Sequence, residues 1–519
     1  MPADVSVSPT RFENGGLALP LVALCIAAAT AIFTFAVVAG VTESRVIALL
    51  SALVIAASVG LWQWRRPTVP IDVGGCSRAF LAVSLVAAVL ALVLLSRLTV
   101  FMIDPARTEY STVPSSDFEV RHSCLTAYFV AAEVVRRTPN VYDNALYAAP
   151  DDDPTKPRKP QMMGIFRVDQ YEYPPPFLLA PRAVSVVAPG FLRLRATWFG
   201  LSGLVLLAGL LVAARGMAPE AGTRALLLTP VVLASLGTLS TLQKGNVQLV
   251  VIAMAVVAMM ALERQRRALG GALLAFVTVA KLYPGLLVLY LLFRRDWRGV
   301  MWTAAFAVLF VALTIVDLGW QPFIAFRDHF SGLLGGEAFP AFRNPSAVAA
   351  NVSIPGIVFK LKLLGFGGMG FGAARVVGTV YMVVAVLATA ILAQRAPRDG
   401  AGPIIWLTVL LLATLRSPFL PWTYGTFPAL WLLTLLVAAH VPRAWTLPQF
   451  LVAALLLAIA VPVDFPVDPR VKALISTVPQ LLMVTLALIG VRLRRLDTSV
   501  RRTQVRAPGD GATLPGVAG

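Results

Sequence analysis

Stretches of roughly twenty apolar residues recur along this chain, the first from Leu17 to Gly40, and short basic loops separate many of them. A helix needs about 20 such residues to cross the hydrocarbon of a bilayer. Within lipid every backbone N–H and C=O must find its partner inside the chain, so a repeated pattern of this kind forms membrane helices. The rest of the composition agrees. Of 519 residues, 58% are hydrophobic and only 13% charged, with a mean hydropathy of +0.78; about a quarter of a soluble domain is charged. The reading is an all-α polytopic membrane protein. A net charge of +18 would suggest nucleic acid in a soluble protein. Here Lys and Arg gather in short loops between apolar runs, as the positive-inside rule requires, and nucleic-acid binding is set aside. The first run is too long for a signal-peptide core and lacks a basic leader, so it reads as a retained span.

Charge fixes the expected topology. Residues 1–16 form a short cytoplasmic tail, and spans are expected at 17–40, 46–63 and 79–101. Arg65, Arg66 and Arg78 put the second loop inside, so 102–196 becomes a large outer loop with interfacial helices. LTAYFVAAEVVRRT (125–138) has helical spacing and suits the membrane surface. The bundle resumes with spans at 197–214, 225–241 and 246–262. The next stretch, 268–293, has ERQRR before it and RRDWR after it. As one span it would place basic clusters on both sides. As a short helical hairpin, broken at Lys281-Leu282-Tyr283-Pro284 where proline interrupts the helix, it places both inside. Spans at 299–317, 371–393, 402–415, 424–440, 447–463 and 471–490 then complete a transmembrane bundle over 197–490. The count is about 14 segments, both termini are cytoplasmic, and 491–519 is a basic, disordered tail. On this topology Cys25, Cys76 and Cys124 fall in different compartments, and no disulfide is expected.

The polar concentrations converge on the outer face: Asp117, Tyr171 to Tyr173, Gln243 to Gln248, Lys281, His329 to Asn351, and Arg416 to Tyr424. Polar groups at membrane depth are costly and mark substrate paths. Broken helices survive there only where they line a protein-enclosed cavity. Among the loop acids, Asp117 and Asp104 lie closest to the entering span, and a carboxylate there suits a general base. Asp104 precedes Pro105 and also suits the end of its helix. DDDP (151–154) reads as a hydrated acidic run rather than a metal site. Lys281, deep in an apolar hairpin, either snorkels or faces an anionic phosphate; His329 and Arg343 are further candidates for that phosphate. Tyr173, Trp422 and Tyr424 suit sugar stacking. Walker, HExxH, GxSxG and paired CxxC motifs are missing, which removes the usual signs of ATP-driven pumping, zinc proteolysis and serine hydrolysis. A transporter or lipid-linked-glycan flippase is the rival class; it would be expected to show repeated halves and charges buried within spans.

Six segments in order carry a resemblance: Asp117-Phe118 followed by AYFVAAE and NVYD; YEYPPPFLLAP; Gly245-Asn246-Val247-Gln248; AKLYPGLLVLYLLFRRDWR; Asn351-Val352-Ser353 with Gly356; and Ser417-Pro418 with Trp422. Together they resemble glycosyltransferase family 87, the polyprenol-phosphate-mannose-dependent mannosyltransferases of the GT-C superfamily. One departure concerns the acid. The family usually places an Asp a few residues before the Tyr of its Tyr-x-x-Ala helix, whereas Asp117 lies 11 residues before Tyr128 and Cys124 occupies the nearer slot. The resemblance implies a GT-C-like fold in the cell (inner) membrane with its active site facing outward. It implies a polyprenyl-phosphate sugar donor, an envelope lipid or glycan acceptor, and inversion of configuration with Asp as general base. It implies no cofactor and no metal at the reaction centre. On it, Asp117 is the catalytic base with Asp104 in reserve. Lys281, His329 and Arg343 hold the donor phosphate, and Tyr173, Asn246, Gln248, Asn351, Ser353, Trp422 and Tyr424 bind substrate.

Overall fold

A computed structural model describes residues 18–69, 71, 76–149, 159–394, 401–440 and 467–492. The expected span at 447–463, the DDDP run, the N-terminal tail and residues 493–519 lie outside these residues. The described chain is overwhelmingly helical. Eight of its helices are long and apolar enough to cross a membrane, or nine if one bent pair is a single span.

Three of these open the chain: α1 (Ala18–Thr42), α2 (Arg45–Arg65) and α3 (Arg78–Ile103). Helix α1 packs on α2 and on α7 (Phe191–Arg215). Small residues make that approach possible. A Cβ on Gly203 of α7 would sit 2.1 Å from the buried Phe33 ring of α1. The other faces of α2 and α3 leave Leu50, Leu53, Val54, Val86 and Val89 exposed, as lipid-facing surfaces require.

The loop between α3 and α7 carries a short helix α4 (Asp117–Arg121), strand β1 (His122–Ser123), helix α5 (Cys124–Val134), strands β2 (Met162–Met163) and β3 (Phe166–Val168), and helix α6 (Leu179–Val187). The strands form one small sheet in the order β1-β3-β2, with β1 parallel to β3 and His122 opposite Arg167. Cys124 to Ala132 of α5 are all buried. The helix expected on the membrane surface is therefore enclosed by protein, because its apolar residues occupy every side and pack against α6 and α7.

Beyond α7, α8 (Pro219–Ala234) and α9 (Leu236–Lys244) meet at a 58° bend, where the Ser235 hydroxyl caps α9 by accepting from Thr238 N. The chain continues through α10 (Gln248–Glu263), α11 (Arg267–Lys281), α12 (Gly285–Phe293), α13 (Trp297–Leu318) and α14 (Gln321–Gly335). The α11–α12 break falls at Leu282 to Pro284, with Leu282 at φ 49°, at the proline the sequence identifies. Two short helices follow, α15 (Pro345–Ala349) and α16 (Gly356–Leu363), then α17 (Phe371–Gln394), α18 (Gly402–Leu415), α19 (Trp422–Gly425), α20 (Phe427–His440) and α21 (Pro469–Arg492). Every residue of α18 is buried, among α10, α12, α17, α20 and α21. Cys25, Cys76 and Cys124 are not joined by disulfides.

Candidate active site

The sheet builds the centre of the site. Pairing of β1 with β3 sets Ser123 opposite Val168, which brings the next residue on each side, Cys124 and Asp169, close together. His122 lies between the surrounding groups. Its Nδ1 is 3.3 Å from Asp169 Oδ1, its Nε2 is 3.1 Å from the Tyr424 hydroxyl and 3.7 Å from Cys124 Sγ, and its ring stacks on Phe118 at 4.6 Å. Burial opposes a charge on this imidazole, but the Asp169 carboxylate, acting by charge and hydrogen bond, prevails, and the pKa is pushed up to about 10. The Asp169 side chain keeps 28% exposure, so the pair is not sealed off.

Two later tips close around this centre. Gly245 ends α9 in the left-handed conformation, at φ 68°. That turn directs Asn246 back, so that its Nδ2 donates to Cys124 Sγ at 3.4 Å while its Oδ1 accepts from Gln248 N. Lys244 is fully buried. Its ammonium donates to Glu119 Oε1 at 2.5 Å and lies over the rings of Phe118 and Tyr424. Glu119 Oε2 accepts from Ser240. From the other side, Lys281 Nζ sits 5.1 Å from the Tyr173 ring centroid, within electrostatic reach of the Cys124 thiol. No carboxylate of the described residues pairs with it. Tyr173 is fixed by Tyr128, whose hydroxyl donates to it at 2.9 Å, and by stacking on Phe177.

Several buried polar atoms around this centre have no hydrogen-bond partner among the described residues: Gln248 Nε2, Trp422 Nε1, Tyr283 Oη and Gln170 Oε1. Buried donors and acceptors are nearly always satisfied, so a cluster of orphans beside an unpaired ammonium suits a polar ligand. The arrangement offers a carboxylate, an imidazole, an unpaired cation and aromatic faces in one sheltered place.

Residues 171–420 match glycosyltransferase family 87. The chain carries a glycosyltransferase family 87 domain. It is a glycosyltransferase, embedded in a membrane by its multiple apolar helices. No curated protein and no solved structure matches the chain. The matched stretch contains Tyr173, Lys244, Asn246 and Lys281 of the transferase; His122, Cys124 and Asp169 precede it.

Of the residues the sequence singles out, Tyr173, Asn246, Lys281 and Tyr424 come together, with Gln248 and Trp422 beside them. Others are committed elsewhere. Asp117 is 58% exposed, with its two oxygens held by Arg121 and Arg167, each at 2.7 Å. Asp104 caps the end of α3 and accepts from Ala106 N. His329 is bound to Glu172 at 2.8 Å and stacks on Tyr142; burial pushes the Glu172 carboxyl up while His329 counteracts it. Arg343 is exposed. Asn351 and Ser353 act on backbone: Asn351 accepts from Ser353 N and Leu420 N and donates to Pro418 O, while the Ser353 hydroxyl donates to Pro418 O and accepts from Gly356 N. They join the 351–356 segment to the 417–421 tip that carries Trp422 and Tyr424. Sequence reasoning missed His122, Cys124, Asp169, Glu119 and Lys244. Lys244 had a readable signal, being a lysine within an outward polar tip between apolar runs.

Proposed function

We propose that this glycosyltransferase moves a sugar, mannose in the first instance, from a polyprenyl-phosphate donor to an envelope lipid or glycan acceptor on the outer face of the cell membrane, with inversion. The observation that carries the proposal is the convergence of Asp169, with its imidazole partner, and the unpaired Lys281 on one sheltered site at the loop ends of the helices. Asp169 takes the proton of an acceptor hydroxyl. The hydroxyl oxygen bonds to the anomeric carbon as the bond from that carbon to the phosphate oxygen breaks, and the electron pair leaves with the lipid phosphate. Lys281 faces the charge that grows on that phosphate. Tyr173 and Trp422 offer faces and a donor to the sugar. Asp169 is preferred to Asp117 and Asp104 because its carboxylate lies beside Cys124, the slot where the family resemblance expects an acid, and because the other two are engaged at the surface.

The topology belongs to the same proposal. Helices lie at the thirteen expected segments that fall on described residues, 225–241 as the bent pair α8–α9, and the site residues fall at one set of helix ends. Arg65, Arg215, Arg264 to Arg267, Arg294 to Arg298 and Arg492 fall at the opposite set. A GT-C-like bundle with both termini inside and the site outside accounts for this division.

Transfer from radiolabelled polyprenyl-phosphate mannose, measured with the purified protein, tests the reading. Asp169→Asn is expected to lower kcat by about 10²–10⁴-fold, and Asp117→Asn by much less. The reverse order would return the role of base to Asp117. Lys281→Met is expected to lower kcat by about 10²–10³-fold; unchanged turnover in that variant would remove the lysine from the reaction.

A further inference from the structure

The centre of the site has a second chemical capacity. We propose that His122, Cys124 and Asp169 form a binding site for a divalent transition metal of borderline softness, Zn²⁺ or its analogue Co²⁺, and that occupancy switches the transferase off.

An imidazole nitrogen, a thiolate and a carboxylate are the donor types that Zn²⁺ selects, at about 2.0–2.3 Å from the ion. In a tetrahedral shell, donors at those lengths stand roughly 3.3–3.8 Å from one another. Here one ligand atom from each of the three residues lies within 4.8 Å of the other two. The closest approaches are 3.3 Å between His122 Nδ1 and Asp169 Oδ1 and 3.7 Å between His122 Nε2 and Cys124 Sγ. These two contacts use opposite nitrogens of the ring, and an imidazole holds an ion through one of them, so binding requires the Asp169 and Cys124 side chains to turn toward a single ring nitrogen across the 4.8 Å that separates the set. The Tyr424 hydroxyl lies beside the set, 3.7 Å from Cys124 Sγ and 3.1 Å from His122 Nε2. Thiolate and carboxylate together neutralise the dication. The backbone is prepared as well: β1 and β3 are paired on one sheet, so the spacing of all three donors is set by the fold. Hard ions do not suit the site, because Mg²⁺ and Ca²⁺ need several oxygen ligands and these three residues supply one carboxylate.

Binding and inhibition are separable. The inhibition half rests on the reading of Asp169 as base, since a carboxylate bound to metal cannot accept the acceptor's proton. The binding half does not. Co²⁺ titrated into the full-length protein in detergent is expected to give a thiolate-to-cobalt charge-transfer absorption that saturates at one equivalent and is displaced by Zn²⁺. Cys124→Ser should abolish the band, the Cys25→Ser/Cys76→Ser double variant should retain it, and His122→Gln and Asp169→Asn should each weaken Co²⁺ binding at least tenfold. Absence of the band in the wild-type protein, or its persistence in Cys124→Ser, overturns the site. If Cys124→Ser fails to fold, undiminished Co²⁺ affinity in both His122→Gln and Asp169→Asn overturns it instead. In the transfer assay Zn²⁺ should inhibit the wild type and a chelator should restore it. A full Co²⁺ spectrum without inhibition would keep the metal site and refute Asp169 as the base.

Discussion

Lys244 and Glu119 show how much this site depends on charge held out of water. The ammonium is fully buried, the carboxylate nearly so, and they meet at 2.5 Å. Ser240 supplies the second carboxylate oxygen with a donor, and two aromatic rings face the ammonium. Breaking such a pair leaves the surviving charge uncompensated in a low dielectric, which costs about 3–5 kcal/mol. Lys244→Met is therefore expected to destabilise the protein by about that amount, seen as a lowered melting temperature in detergent. The Lys244→Met/Glu119→Leu double variant should recover much of the loss. If the double variant is as unstable as the single, the pair is not the origin of the cost. The contrast with Asp117, two positions from Glu119, is one of facing. Ser116 starts the short helix α4 by accepting from Glu119 N; the turn that follows buries Glu119 and leaves Asp117 beside Arg121 and Arg167. Alternation on so short a helix cannot be read from a polar loop, which is why the burial of Glu119 was not legible in the sequence.

At the scale of elements, the legible features were those written in long apolar periods or in proline. The break after Lys281 is an example, since Pro284 cannot continue the helix and the two flanking clusters of arginine demand an interruption. The sheet that places Asp169 against His122 was not legible. Its strands are two or three residues long, too short for period-two alternation to register, and the pairing of β1 with β3 joins positions more than forty residues apart. The α9–α10 junction makes an element-level prediction. Gly245 has φ 68°, and an added Cβ would come 3.0 Å from Leu125 Cβ on α5. A side chain in this conformation costs about 1–2 kcal/mol, and relief would push α5, with Cys124 at its start, away from Asn246. Gly245→Ala is expected to lower both the melting temperature and kcat, whereas Gly367→Ala, in open space, should leave both unchanged. A Gly245→Ala protein with full turnover would show that the junction does not position the site.

At the scale of the whole molecule, the arrangement of helices makes the side of the membrane a single binary choice. Site residues occupy the ends of α9 and α11 and the starts of α10 and α19, and arginines occupy the far ends of α2, α7, α10 and α12. A flip of any one helix would separate the site or move a basic cluster across the bilayer, so the chain must be oriented as a unit. The proposed orientation follows the positive-inside rule, which counts the loops with the most Lys and Arg, and has the site outside. Three exposed positions test this: Glu109 and Asp328 on the site side, and Arg298 on the arginine side. In a background without the three native cysteines, Glu109→Cys and Asp328→Cys are expected to react with a membrane-impermeant maleimide on intact cells. Arg298→Cys should react only after permeabilisation. Labelling of Arg298→Cys in intact cells, with protection of the other two, would place the site in the cytoplasm. That result would make the donor a cytoplasmic sugar carrier rather than an outward lipid-linked one. Because the helices on each side of the α11–α12 break carry opposite members of this set, the same three labels also decide the break. If the stretch from α11 to α12 crossed the bilayer once, Glu109→Cys and Arg298→Cys would report the same side.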